Sequence, residues 1–359
     1  FTVTTAGSEN SVSAVSISGR EVTLTVGTTI KNDETVTVAY KDPTSGDDTN
    51  AIQDDSGNDV TDLSSTSVTN NAVIAIFSVK TALVNAVNLW VSDQDTATET
   101  YGDINTWDVS AITDFSELFK DKRSFNSDIG DWDVSAGTDF SEMFYNTEAF
   151  NQDIGDWDVS SGTDFSWMFY RARFFNQDIG DWDVSKGTDF SKMFHDTPNF
   201  NQDIGNWNVS NGTDFTNMFL YAYQFNQNIG NWNVSNGTEF NSMFAYARAF
   251  DQNISSWEVS NGTDFSAMFS SAEAFNQDIG NWDVSNGTSF SGMFLYAYKF
   301  NQDIGDWDVS NGTDFSGMFY GASDFNQDIG EWNVSKGTEF NSMFNGASAF
   351  NHAIGDWDV

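Results

Sequence analysis

Cysteine is absent from this 359-residue chain, proline occurs twice, and only 14 lysines and arginines stand against 53 acidic residues. Without cysteine, no disulfide framework, thiolate metal site or cysteine nucleophile can exist. The formal charge of −39 excludes nucleic acid and argues against an anionic membrane surface as a partner, because like charges repel.

Long apolar runs are also missing. No segment approaches the roughly 18 apolar residues of a membrane span, and no basic stretch followed by an apolar one marks a signal peptide. We therefore expect no direct membrane insertion by this chain. Since it begins at Phe1 and stops two residues after Trp357, we expect it to be a piece of a longer polypeptide.

Aromatic residues are abundant and regularly spaced. Eleven tryptophans recur every 25 residues from Trp107 to Trp357, and all nine methionines share one such column, from Met143 to Met343. A column here means residues 25 apart, and 30 of the 33 phenylalanines occupy three columns. A fixed period of this length is typical of repeats that bury their apolar faces only by stacking on one another. The sequence therefore predicts a solenoid.

The first part of the chain has a different pattern. Apolar and polar residues alternate over Val15–Ile17, Val22–Val26 and Val36–Tyr40, with turn residues at Gly19 and at 31–33 between the runs. Period-two alternation of this kind predicts antiparallel strands, and a further strand is expected near Val68. We predict an all-β sandwich over residues 1–72.

Helical spacing appears just before the repeats. Leu83, Ala86, Val87 and Trp90 would share one face of a short helix. We expect residues 73–103 to form a helical cap on the solenoid, because a repeat array needs an atypical terminal unit to cover its first core layer.

Within one repeat, two apolar patterns alternate. Ile154, Trp157 and Val159 predict a strand, and the spacing of three, four, seven and ten residues that begins at Phe165 predicts a short helix. The fold class predicted for residues 104–359 is accordingly an α/β repeat solenoid with one strand and one helix in each coil. Its core ladder would comprise Trp132, Trp157, Trp182, Phe140, Phe144, Phe150, Met143 and Ile154.

Two segments resemble known families. The repeat Trp-Asp-Val-Ser-x-x-Thr-Asp-x-Ser-x-Met-Phe-x-x-Ala-x-x-Phe-Asn-Gln-Asp-Ile-Gly is similar to the leucine-rich-repeat surface proteins related to BspA, which include mycoplasma lipoproteins. Residues 36–40, Asp42-Pro43 and residues 50–58 resemble the bacterial immunoglobulin-like repeats named for a cyanobacterial swimming-motility protein. The first resemblance implies a right-handed solenoid, extracellular or bacterial cell-surface placement, and adhesion without catalytic residues. One departure is Gly162 with Phe165, where the family commonly has Val and Met, so we expect altered packing there.

Acidic residues also form columns. Repulsion between stacked carboxylates favours bound cations, and calcium prefers such oxygen ligands. Asn208 and Asn233 stand in one of these columns, however, which favours a solvated acidic face over specific sites. No cofactor is required, and the candidate calcium ligands are Asp133, Asp158, Asp183, Asp139, Asp164 and Asp189.

Catalysis is not expected. A glycosidase needs two carboxyl groups with differently tuned pKa values, whereas these aspartates are copies of one another. His195 and His352 lie more than six repeats apart and do not suggest a shared site. The threonine column from Thr113 to Thr338 raises ice binding as a hypothesis, but turn capping explains it more simply.

The columns that vary most follow the Met-Phe pair. Variation against a constant template is where recognition can differ, and Tyr and Arg are the usual anchors of binding surfaces. The candidate ligand contacts are Tyr170, Arg171, Arg173, Tyr221, Tyr223, Tyr246, Arg248, Tyr296, Tyr298 and Tyr320. We expect a surface adhesion protein that recognises a glycan or protein on a cell or matrix. The alternative is a structural subunit that self-associates through the open ends of its solenoid.

Overall fold

A computed structural model describes residues 1–18, 21–27, 30, 35–43, 52–53, 59–68 and 75–359. The chain divides into two compact units. One comprises residues 1–75 and 98–106, and the other comprises residues 76–97 and 107–359. The predicted turns at Gly19 and 31–33, and most of residues 50–58, lie outside the described residues.

The first unit contains two antiparallel sheets. A four-stranded sheet has the order β2 (Ser8–Asn10), β1 (Thr2–Thr5), β5 (Val36–Tyr40), β6 (Leu63–Val68). A two-stranded sheet pairs β3 (Val12–Ser18) with β4 (Glu21–Val26). Both sheets contribute to the lining of one cavity of about 600 Å³. The expected strand near Val68 is confirmed as β6, and the strands fit the predicted β region.

Two helices precede the repeats. Helix α1 (Lys80–Ser92) buries the four predicted residues, Leu83, Ala86, Val87 and Trp90, which confirms that amphipathic helix. Trp90 meets Trp107 edge to face at 5.9 Å, and its indole N–H donates to the Ser127 hydroxyl at 2.9 Å. The face of α1 therefore covers the first tryptophan of the column. Helix α2 (Gln94–Tyr101) and a 3-10 turn (Ile104–Thr106) follow.

The predicted strand and helix inside each repeat are wrong. Within residues 107–359, all of which are described, neither element is present. Regular pairing is reduced to one parallel bridge per repeat, as between Asp139 and Asp164. At the predicted strand, the Trp157 N–H donates to the Ile154 carbonyl at 3.2 Å, so the chain turns instead of extending.

Two kinds of backbone hydrogen bond alternate where the helix was expected. Phe165, Trp167 and Phe169 donate their N–H groups to carbonyls of the next repeat at 2.8 to 3.0 Å. Met168 and Tyr170 donate to the carbonyls three residues back. A helix would need every N–H to bond four residues back, so stacking of the repeats replaces helix formation.

Two positions in each repeat have positive φ, which a right-handed helix cannot accommodate. In one repeat they are Trp167 at 58° and Arg171 at 57°, and glycine appears at the same columns later in the chain, as Gly317 and Gly321. Buried side chains at helical spacing are therefore produced here by consecutive tight turns.

The core between repeats consists of stacked rings. All eight residues predicted for the core ladder are buried. Phe140 stacks on Phe165 at 5.6 Å, and Trp157 stacks on Trp182 at 6.5 Å, with nearly parallel planes. A β-carbon added at Gly162 would collide with the Phe165 ring, so the ring occupies the space that an aliphatic residue would take.

Candidate functional site

The ten predicted contact residues lie on the turns that follow the Met-Phe pair, and each is exposed or half-buried. We call this set the tyrosine–arginine strip: Tyr170, Arg171, Arg173, Tyr221, Tyr223, Tyr246, Arg248, Tyr296, Tyr298 and Tyr320. The inter-repeat hydrogen bonds fix the backbone beneath it, because Arg171 and Tyr221 donate their N–H groups to the next repeat at 2.9 and 3.0 Å. The strip therefore lies on a rigid part of the chain.

Ring contacts run along the strip from repeat to repeat. Tyr145 stacks on Tyr170 at 4.5 Å, and Tyr170 meets the His195 ring edge to face at 4.8 Å. His195 lies 5.9 Å from Tyr221, which lies 4.6 Å from Tyr246. These distances fall within or close to the range of favourable aromatic pairs.

Ser270 and Ser271, both buried, occupy the next repeat and interrupt the row of rings. Beyond them Tyr296 contacts Tyr298 at 6.0 Å and Tyr320 at 5.2 Å. The strip thus has two aromatic parts, and the larger one also carries the arginines.

Basic residues concentrate beside these rings. Eight of the ten lysines and arginines between residues 107 and 359 belong to the turn segments that carry the strip: Lys120, Lys122, Arg123, Arg171, Arg173, Lys192, Arg248 and Lys299. The guanidinium of Arg248 lies over the Tyr223 ring at 5.1 Å, and the ammonium of Lys192 lies over Trp167 at 4.0 Å. The same turn segments also carry seven acidic residues: Glu117, Asp121, Glu142, Glu148, Asp196, Glu273 and Asp324. In a chain of net charge −39, this face is therefore close to neutral.

Sequence reasoning missed Trp167 and Lys192 as members of this surface. Trp167 also meets Tyr170 edge to face at 5.1 Å. It was detectable because it is one of only two tryptophans outside the 25-residue column, with Trp90. A tryptophan outside the 25-residue column was therefore the sequence feature that could have identified this part of the surface.

The predicted calcium ligands have a local role in the backbone. Oδ1 of Asp158 accepts the Ser160 N–H at 3.0 Å, and Oδ1 of Asp164 accepts the Ser166 N–H at 2.9 Å. Asn208 makes the same bond to Ser210 at 3.1 Å. Because this turn needs only a side-chain oxygen, it explains why the column accepts Asn as well as Asp.

The acidic columns differ in electrostatics. Hydrogen bonds from Ser160 and Ser185 lower the pKa values of Asp158 and Asp183, whereas burial raises the pKa of Asp189, with its neighbours Asp214 and Asp164 adding to the rise. Among the described residues, no group of three or more His, Asp or Glu side chains is arranged to hold a metal ion.

His195, whose ring lies between Tyr170 and Tyr221 of the strip, is an unusual titratable group. Burial lowers its pKa to about 4, and its Nδ1 is buried without a hydrogen-bond partner among the described residues. Leu220 and Leu295 occupy the same column, so the fold here requires no imidazole. The distant His352 does not share its environment, and the two histidines form no common site.

These features define a protein of stacked 25-residue repeats that carries an aromatic and basic strip on one set of turns. Three matches, at residues 90–204, 177–281 and 263–359, show that the chain belongs to the family described as Mycoplasma protein of unknown function, DUF285. Residues 1–45 match the SWM repeat, whose description is "Putative flagellar system-associated repeat". No curated protein and no solved structure matches the chain.

The described residues include no helix that is long and apolar enough to cross a membrane.

Proposed function

We propose that this chain is a secreted or cell-surface binding protein that adheres, without catalysis and without a required cofactor, to a glycan or protein on another surface. The tyrosine–arginine strip would make the contact. In this proposal the repeats form a right-handed solenoid related to leucine-rich repeats, and the first 72 residues form an immunoglobulin-like module. Family membership and the resemblance to surface proteins support the location.

One observation carries the proposal: large side chains occupy backbone positions that favour glycine. Tyr221, Tyr246 and Tyr296 have φ values of 61°, 57° and 55°. Left-handed conformations cost non-glycine residues about 1 kcal/mol or more. The same column holds Gly321 and Gly346, so the fold does not need tyrosine there. Strained, large and partly exposed residues are typical of functional surfaces.

The composition of the strip supports recognition further. Tyr223 and Tyr298 are 38% and 42% exposed, although each touches a neighbouring ring. Such neighbours limit the conformational freedom that a tyrosine loses on binding, which favours affinity. Tyrosine and arginine are also the residue types enriched among the strongest contacts of protein interfaces.

The repeats themselves supply the test variants. Ser271 occupies the column of the three strained tyrosines, so Y221S, Y246S and Y296S together place in three repeats a residue that the fold already accepts. Adhesion of the purified chain to bacterial and host cells and to a glycan panel should fall strongly in this triple variant. The matched control K186N uses the asparagine found at Asn211, lies outside the strip, and should adhere like the wild type.

Unchanged adhesion of the triple variant would refute the strip as the binding surface. Electron microscopy of the same samples tests the alternative function. Regular filaments formed by wild type and triple variant alike, without adhesion, would favour a structural subunit that associates through the ends of its repeats. Repeating both measurements with a calcium chelator tests whether calcium takes part.

A further inference from the structure

Two guanidinium groups converge on one carboxylate at the arginine end of the strip. Oδ2 of Asp196 accepts a hydrogen bond from Nη2 of Arg173 at 3.0 Å and lies 3.3 Å from Nε of Arg171. The Asp196 side chain is only 19% exposed, so it holds both arginines from the protein side. The two cations are therefore positioned before any ligand arrives.

Most N–H groups of the two guanidinium groups point away from Asp196. The side chains of Arg171 and Arg173 are 45% and 48% exposed, and each directs one N–H-bearing nitrogen at Asp196. A guanidinium has five N–H donors in a planar fork that matches a carboxylate. A second carboxylate could therefore bind the outer edges of the pair while Asp196 remains in place.

Two aromatic residues flank the pair along the chain, Tyr170 before Arg171 and Phe174 after Arg173. Phe174 is 62% exposed, the largest exposed fraction of any aromatic side chain among the described residues. Arg171 also lies over the Tyr170 ring at 5.3 Å. The C–H groups of a sugar ring carry partial positive charge and are attracted to the negative face of an aromatic ring. A carboxylate and a flat ring can thus be held side by side.

The net charge of the whole chain limits the classes of ligand that can bind. At −39, long-range repulsion opposes a polyanion, whereas a single carboxylate on a neutral chain avoids most of that cost. Resting on the proposed function, we propose that Arg171, Arg173, Tyr170 and Phe174 form a subsite for an acidic sugar, a uronic acid within an otherwise neutral glycan. The guanidinium pair binds its carboxylate, and the aromatic side chains contact its ring.

A matched pair of ligands tests this subsite. Glucuronyl-(1→4)-glucose and cellobiose share the same two rings, and only the first carries a carboxylate. Titration calorimetry of the wild-type chain should give about tenfold tighter binding of the acidic disaccharide, as expected for charge-assisted hydrogen bonds. Equal affinity for the two disaccharides, or no binding of either at millimolar concentration, would overturn the proposal.

Variants that use residues from other repeats distinguish binding at the subsite from a general effect of positive charge. R171S and R173S use residues that occur in the same columns, as Ser271 and Ser323, and together should remove the preference for the acidic disaccharide. K186N removes a cation outside the strip and should retain the preference. Trp fluorescence during urea denaturation checks that the double variant folds. A folded double variant that still prefers the acid would contradict the assignment.

Two further outcomes would also overturn the subsite. Tighter binding of the dipeptide glutamyl-phenylalanine than of the acidic disaccharide would replace the sugar with an acidic peptide. If neither small ligand binds, while adhesion to cells is still lost in the Y221S, Y246S and Y296S variant, the acidic-sugar subsite is refuted and the proposed function stands.

Discussion

The indole N–H of Trp207 donates a hydrogen bond to the carbonyl oxygen of Ile179, one repeat earlier, at 3.0 Å. Both residues are buried, and the same bond recurs along the tryptophan column, as from Trp232 to Ile204. Each tryptophan therefore gives a turn carbonyl of the preceding repeat a second hydrogen bond, beside the one from the backbone of that repeat, while it stacks on its neighbours.

Trp207→Phe should destabilise the repeats by about 1–3 kcal/mol, because it opens a cavity and removes one of the two hydrogen bonds that the Ile179 carbonyl accepts. The other, from the Trp182 N–H at 3.2 Å, remains. The urea denaturation midpoint measures the effect. Trp357→Phe is the matched control, since Trp357 makes the equivalent bond to Ile329 but is only half-buried. If the two variants lose the same stability, the contribution of the tryptophan does not depend on its burial, which contradicts this prediction.

The asparagine column should depend on the side-chain oxygen and not on the amide nitrogen. Oδ1 of Asn201 accepts the Asn226 N–H at 2.9 Å, and Asp251 does the same for Asn276. Asn201→Ala should therefore cost about 1–3 kcal/mol, the cost of an unsatisfied partly buried donor, and Asn201→Asp much less. Thermal unfolding of both variants decides the point, and equal destabilisation would exclude the acceptor role.

Backbone strain at the strip predicts that a glycine variant is more stable than an alanine variant, the reverse of the usual order. Tyr221→Gly should be about 1 kcal/mol more stable than Tyr221→Ala, because only glycine adopts a φ of 61° without steric cost. Both variants lose the same ring contacts, so their difference in urea midpoint isolates the backbone. An alanine variant as stable as the glycine variant would show that the left-handed conformation carries no strain.

His195 should make the fold sensitive to acid. Burial lowers its pKa to about 4 from an ordinary value of 6.5. The folded chain thus resists a proton that the unfolded chain accepts. The resulting stability is present above pH 6.5 and is lost as pH falls towards 4, to a total of about 3 kcal/mol.

His195→Leu follows the repeats that carry Leu220 and Leu295, and it should remove this part of the pH dependence. Unfolding at pH 7 and at pH 4.5 compares it with His352→Gln, which uses the usual residue of that column. If His195→Leu and the wild type lose the same stability between these pH values, the imidazole is not held in its neutral form.

The 25-residue spacing of the apolar residues made the stacking of the repeats predictable from the sequence. Apolar residues 25 apart had to stack, and the structure buries them as stacked rings. Phe165, Met168 and Phe169 nevertheless suggested a helix, because consecutive tight turns repeat buried positions at nearly helical intervals. Gly317 and Gly321, four residues apart, were the signal for positive φ, but large residues in the same columns of other repeats obscured it.

The sequence pointed to the turns that carry the tyrosine–arginine strip, but it did not reveal the contacts that the strip makes. Variation among columns identified the turns that carry Tyr221 and Arg171, but the sharing of Asp196 by two arginines depends on contacts between repeats. The acidic columns suggested calcium because sequence shows charge alone. Hydrogen bonds such as that from the Ser160 N–H to Asp158 appear only when the turn is folded.

The most direct test of the central claim is hydroxyl-radical footprinting of the chain while it adheres to a cell surface, compared with the chain in solution. The account predicts reduced oxidation of Tyr223, Tyr298 and Phe174, with no change at the threonine column from Thr113 to Thr338. Protection confined to the threonine column or to the last repeat, with the strip as reactive as in solution, would contradict it.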